Sequence, residues 1–207
     1  IADAARGFGA EVVMTSTECR NGTERCAEAH RALGHGFEIV VNFQGDAPLT
    51  PPWFVSDLVD GLRNDAESGA ATPILRCTGA MLADLKKDRR EGRVGGTTAV
   101  FGAFNQAVYF SKEVIPYTAH QYADDDPSPV FHHVGVYAFR RDALDAYAGW
   151  PVGPLETLEG LEQLRFLENG HRVLCVEVDA RGRQFWELNN PSDVSKIETM
   201  MAEMGMD

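Results

Sequence analysis

Short β-branched and apolar runs alternate with segments of helical periodicity along the chain, and this limits its folds more than any other feature. Glu11–Thr15, Glu38–Phe43 and Ala70–Leu75 read as strands; helices are predicted over Gly22–Leu33 and from Pro51-Pro52 onward. Strands resume at Thr97–Phe101, Gln106–Phe110, His132–Phe139 and Val173–Val178. A helix with leucines three apart is read within Pro154–Asn169, stopped by Gly170, and another runs from Pro191 to Met204. Alternation of this kind predicts an α/β fold: a mostly parallel, Rossmann-like sheet with helices on both faces, plus an antiparallel addition around 97–139. The apolar centre of Glu38–Phe43 fits a buried parallel strand. The 207 residues make a single domain.

Charge narrows the partners. Nineteen Lys and Arg against 31 Asp and Glu leave a formal charge of −12. A nucleic-acid binder needs clustered cations, so that class is excluded, while a single nucleotide held by a few cations and a metal is not. No apolar run approaches the roughly 20 residues of a membrane span. The cysteines, Cys19, Cys26, Cys77 and Cys175, form no CxxC pair and read as reduced thiols of a cytoplasmic protein.

Four segments carry chemistry. Gln44-Gly45-Asp46 follows a buried strand, where α/β sheets bind ligands; Asp46 suits a divalent metal or a plain turn equally well. Asn21-Gly22-Thr23-Glu24-Arg25 opens a helix, as an anion site or as an ordinary N-cap. His133, Gly135 and Tyr137 share one face if their strand is regular. Glu159 and Glu162 are neighbours on one face of a continuous helix, with Gln163 at its edge, lining a polyhydroxylated ligand or simply facing solvent.

Taken in order, these segments, with Tyr109–Pro116 and Asn189–Val194, resemble the 3-deoxy-D-manno-octulosonate (Kdo) cytidylyltransferases, from Val12 to Met204. The resemblance implies a nucleotide-diphospho-sugar transferase-like fold and a homodimer. It implies an enzyme that joins CTP and Kdo to give CMP-Kdo and pyrophosphate for lipopolysaccharide synthesis, with magnesium. By position, Asp46 and Asn189 are implied to hold the metal, Asp46 and Lys112 to be catalytic, and Asn21, Gly22, Thr23, Arg25, Gln44 and Gly45 to meet the nucleotide. His133, Tyr137, Glu162 and Gln163 are implied to hold the sugar acid, and 97–139 to form the sugar-side and dimerisation insertion. Asn189 stands where the family has Asp, Asn21 where it has Ser, and Ala47 where it has an acidic residue. The family's N-terminal strand and Gly/Arg-rich triphosphate loop are expected upstream of Ile1, so the 207 residues alone are expected to be inactive. Alternatives are activation of an amino-Kdo or related acid, and a non-catalytic ligand-binding or dimerisation module.

Overall fold

The structure, a computed structural model, describes residues 1–34, 36–183, 188, 191 and 193–205. The chain runs α1 (Ala2–Gly7), α2 (Gly22–Leu33), β1 (Ile39–Phe43), α3 (Pro52–Asn64), β2 (Ala70–Thr78), α4 (Gly79–Arg90), β3 (Thr97–Phe101) and β4 (Ala107–Ser111). It continues through β5 (Pro127–His133), β6 (Val136–Arg140), α5 (Arg141–Tyr147), α6 (Pro154–Glu159), α7 (Leu164–Glu168), β7 (Val173–Glu177) and α8 (Asp193–Glu203).

The strands form one seven-stranded sheet, ordered β1-β6-β2-β5-β3-β4, with β7 on β2. The expected α/β layering holds, but the expected mostly parallel sheet does not. Among the described strands only β2 and β7 pair in parallel; the other ladders are antiparallel. The physical reason lies in β5 and β6. They run along the same edge of β2, β6 opposite Ala70–Ala71 and β5 opposite Ile74–Thr78. Thus β6 separates β1 from β2, although the two are consecutive in sequence and point the same way. An apolar strand looks the same in sequence whether its neighbours run with it or against it, and β1, expected to be buried, is an edge strand with Ile39, Val40 and Val41 half-buried and Phe43 exposed.

Between β5 and β6 the chain breaks at Val134–Gly135, with Val136 N–H folding back onto the Val134 carbonyl at 2.7 Å. The residue of β2 facing the break is Pro73, whose carbonyl accepts from Val134 N–H at 3.1 Å. Within a strand, a residue's N–H and carbonyl share an edge, and proline has no N–H to leave unpaired. Pro73 therefore lets the strand bend away at little cost. On the opposite edge, β1 ends against Val136 and β3 begins against His133. That leaves an opening in the sheet between Phe43 and Thr97.

Both faces are covered. Val136 and Ala138 of β6 meet Phe54, Leu58 and Leu62 of α3. Tyr137 and Phe139 face the other way, onto the core shared with Ala27 of α2, Leu144 of α5 and Phe166 of α7. Here Tyr137 stacks on Phe139 and Phe139 on Phe166, each at 5.8 Å between ring centroids. The α3 helix begins where predicted, with Pro52 in its first turn.

Other expectations change in detail. Residues 10–16 form no strand, and β1 has a partner only in β6; a strand without a ladder leaves its backbone groups to water. The helix read within Pro154–Asn169 is two short helices, because Gly160 takes the left-handed conformation at φ 62° and closes α6.

Candidate active site

A cavity of about 290 Å³ occupies the opening in the sheet, lined by Gln44, Asp46, Thr97, His133, Gly135, Tyr137, Gly160, Leu161, Glu162 and Gln163. Four separate sequence segments converge there, Thr97 coming from the start of β3. The β1 end supplies Gln44 and Asp46, the broken strand supplies His133 to Tyr137, and the turn between α6 and α7 supplies Glu162 and Gln163.

Glu162 joins them. Its carboxylate accepts from the backbone N–H of Thr23 at 2.9 Å and from Gln44 Nε2 at 3.1 Å. Burial pushes its pKa above the ordinary carboxylate value, and the hydrogen bond from Thr23 pulls the other way. Glu162 does not share a helix face with Glu159, as expected from their spacing. The left-handed Gly160 lies between them, and Glu159 turns to β4, accepting from Ser111 Oγ at 2.7 Å and Lys112 N–H at 2.9 Å.

Asn21 caps α2 as an ordinary N-cap would, accepting from Glu24 N–H at 2.9 Å. It also has a tertiary role: its Nδ2 donates to Tyr147 Oη at 3.0 Å, and Tyr147 donates to the Glu162 carbonyl at 3.0 Å. Gly22 packs so close to Asn42 that a Cβ there would sit 2.7 Å from Asn42 Nδ2. Thr23 is buried, with its N–H on Glu162. Arg25 is not brought into the cavity lining; it donates to Thr15 Oγ1 at 2.9 Å and to the carbonyls of Ser16 and Cys19.

On the other side of the cavity, Tyr137 donates its hydroxyl proton to Gln163 Oε1 at 3.1 Å. Gln163 is 3% exposed, and its Nε2 finds no partner among the described residues, so a buried donor borders the cavity. His133 and Tyr137 do come together, their rings 5.5 Å apart, although the strand between them is broken. Lys112 stands just outside the lining, its Nζ 3.0 Å from where a Cβ on Gly160 would lie.

Asp46 is exposed at the cavity, and Gly45 beside it has open space around its Cα. The Asp46 carbonyl accepts from Leu188 N–H at 2.7 Å; Asn189 lies outside the described residues. No cluster of three or more His, Cys, Asp or Glu side chains poised for a metal occurs among the described residues. Magnesium does not require one: it keeps several waters and uses one or two carboxylates together with substrate phosphates. The open Asp46 carboxylate fits that role.

Sequence reasoning missed three supports. Thr97 reaches the cavity from the start of β3. Thr72 is a fully buried hydroxyl in an apolar strand, and that polarity was its only signal. Arg165, also fully buried, makes two bonds to Glu156 at 2.7 and 2.6 Å, donates to Glu24 at 2.8 Å and lies 4.2 Å above the Tyr147 ring.

A sheet opening flanked by a helix N-terminus, an open carboxylate and a sugar-sized polar cavity defines a nucleotidyltransferase-like site, and the comparisons agree. The family model for cytidylyltransferases matches residues 1–174. A 3-deoxy-manno-octulosonate cytidylyltransferase from Maricaulis maris is 40% identical over 99% of this chain and 78% of that protein. Its Chlamydia pneumoniae counterpart is 38% identical over 96% of this chain and 72% of that protein. The chain belongs to the 3-deoxy-manno-octulosonate cytidylyltransferase family. The solved structure of CMP:2-keto-3-deoxy-manno-octonic acid synthetase complexed with CTP superposes with a TM-score of 0.80 at 30% identity, over 98% of this chain and 76% of that one. The inositol-1-phosphate CTP transferase of T. maritima shares the fold, with a TM-score of 0.60 at 14% identity over 100% of this chain and 73% of that one.

Proposed function

We propose that the protein transfers CMP from CTP to the sugar acid Kdo, releasing pyrophosphate, as a step towards lipopolysaccharide in the cytoplasm. The observation that carries this is the Glu162 carboxylate, bonded to Thr23 N–H at the head of α2 and to Gln44 after β1, in a cavity shared with His133 and Tyr137. It couples a nucleotide-side wall to a sugar-side wall. Asn21, Gly22, Thr23, Gln44 and Gly45 face the nucleotide, with Arg25 bracing the segment before α2. His133, Tyr137, Glu162 and Gln163 hold the sugar acid, and Lys112 stands near its carboxylate.

In the reaction the sugar's anomeric hydroxyl attacks the α-phosphorus and gives up its proton to solvent, the new C–O–P link forms, and pyrophosphate leaves with the electrons of the broken P–O bond. Such a step asks the protein mainly for alignment and charge neutralisation. Asp46 would hold magnesium, which neutralises phosphate charge and lowers the pKa of a nucleophile when bound. Tyr137 and Gln163 orient the sugar ring, and Lys112 offsets the charge of two anionic substrates meeting.

We propose further that segment 97–139 forms the sugar-side and dimer-forming insertion of a homodimer. Thr97 and His133 from it line the cavity, and it exposes Phe104 and Tyr117, 90% and 89% accessible. Isothermal titration of the full-length protein with magnesium and each nucleoside triphosphate tests the central reading. Binding of CTP at least about tenfold tighter than ATP, GTP and UTP, roughly 1.4 kcal/mol, is expected. Equal affinities for the four would sink it.

A further inference from the structure

We propose that Thr72 is a positioning residue that fixes His133 as the Nε2–H tautomer, so that the Nδ1 lone pair accepts a hydrogen bond from a hydroxyl of the sugar acid, whose carboxylate lies elsewhere. The proposal rests on the sugar-acid reading above and specifies one contact within it.

Thr72 Oγ1 has three polar neighbours: His133 Nε2 at 2.9 Å, the Val136 carbonyl at 3.0 Å and the Val134 carbonyl at 3.3 Å. A hydroxyl has one proton to give. Two oxygens 3.0 Å apart with no proton between them repel, and a carbonyl only accepts. The Val134 carbonyl already takes Val136 N–H at 2.7 Å. The Thr72 proton therefore goes to the Val136 carbonyl, and Oγ1 is left as an acceptor. Its remaining neighbour, Nε2 of His133, must supply the hydrogen. A neutral imidazole with Nε2–H carries its lone pair on Nδ1.

The ring is kept neutral by where it sits. His133 is 5% exposed, edge-on to Phe110 at 5.1 Å between centroids. Burial, with a smaller contribution from neighbouring His132, lowers its pKa to about 3. Nδ1 has no hydrogen-bond partner among the described residues and is not among the buried unpaired atoms, and the ring borders the cavity. An acceptor repels a carboxylate and welcomes a hydroxyl. Donors stand elsewhere: the unpartnered Gln163 Nε2 and the Lys112 amine beside Gly160. The His133 acceptor is thus matched to a hydroxyl of the sugar, and these donors to its carboxylate.

The test is nitrogen NMR of the full-length protein labelled with ¹⁵N-histidine, the His133 signals being identified by their loss in His133→Gln. The free protein is expected to show His133 as one neutral Nε2–H tautomer, unchanged between about pH 8 and pH 5.5, with Kdo moving Nδ1 more than Nε2. In kinetics, Thr72→Val is expected to raise KM for the sugar about tenfold, leaving kcat and KM for CTP within about twofold, and to release the tautomer. Thr72→Ser, which keeps the hydroxyl, is expected to restore both. An Nδ1–H tautomer or an imidazolium in the wild type would overturn the proposal, as would Thr72→Val with unchanged tautomer and sugar KM. If the wild type turns over no sugar acid, the functional reading fails on kinetics, while the spectrum of the free protein still decides the role of Thr72.

Discussion

At the residue scale, Glu162 carries the most. It accepts from two donors on different elements, the Thr23 N–H at the head of α2 and Gln44 Nε2 after β1. Glutamine in its place keeps the shape but offers one oxygen and an NH₂, so one of the two donors faces another donor. A net loss of about 1–2 kcal/mol per mismatched bond is usual. Steady-state assays of Glu162→Gln in the full-length protein are therefore expected to show kcat/KM down at least about tenfold. The thermal midpoint should move only a few degrees; unchanged kcat/KM would remove Glu162 from the site. Most of the residues lining the cavity were visible in the sequence because their chemistry is unusual for their surroundings: Asp46 after an apolar strand, or His133 and Tyr137 two steps either side of a glycine. Thr72 and Arg165 were not, because a threonine in a strand and an arginine in a helix look ordinary until burial and partners are known.

At the element scale, α7 and α2 are tied by charge rather than by apolar contact alone. Arg165, fully buried, bridges Glu156 of α6 and Glu24 of α2. Burial alone would raise the Glu24 pKa, but hydrogen bonds from Arg20 and Arg165 outweigh it and hold the value at about 2. Removing the guanidinium leaves two carboxylates with no shared cation. Arg165→Met is expected to destabilise the fold by about 3–5 kcal/mol in denaturant titrations. Adding Glu24→Gln and Glu156→Gln should return much of that loss, since the uncompensated charges go with it. A triple variant no better than the single one would contradict this account. Element types were largely legible: α2 runs over Gly22–Leu33 as its N-cap and C-terminal glycine indicate. Strand direction was not, since antiparallel β6 enters between β1 and β2 from a distant part of the chain and leaves no local signal. The split of α6 from α7 turned on a single left-handed Gly160, which is equally compatible in sequence with a helix interior.

At the scale of the whole molecule, the break in the long β5–β6 strand makes room for the site and buries an imidazole beside it. The unfolded chain takes up a proton at His133 below its ordinary 6.5, while burial holds the folded ring neutral down to about 3. Stability present above pH 6.5 is thus lost as pH falls, with a slope for this group approaching about 1.4 kcal/mol per pH unit. Glu162, raised by burial, works in the opposite sense, because the folded state takes its proton first. Urea titrations between pH 7 and pH 5 should show a steeper loss for the wild type than for His133→Gln; equal slopes would refute a buried neutral imidazole. The charge of −12 gains meaning at this scale as well. An acidic molecule proposed to handle two anions needs its few cations near the opening, and Lys112 stands beside Gly160 at its edge.

The most direct measurement is pyrophosphate release by the full-length protein with magnesium, CTP and a panel of sugar acids, wild type beside Asp46→Asn. Release is expected to require CTP and Kdo together, to be weak with other triphosphates, and to fall at least about a hundredfold in kcat for Asp46→Asn, near 3 kcal/mol of transition-state stabilisation. Release that ignores the sugar, or an Asp46→Asn variant as active as wild type, would contradict the proposed CMP transfer.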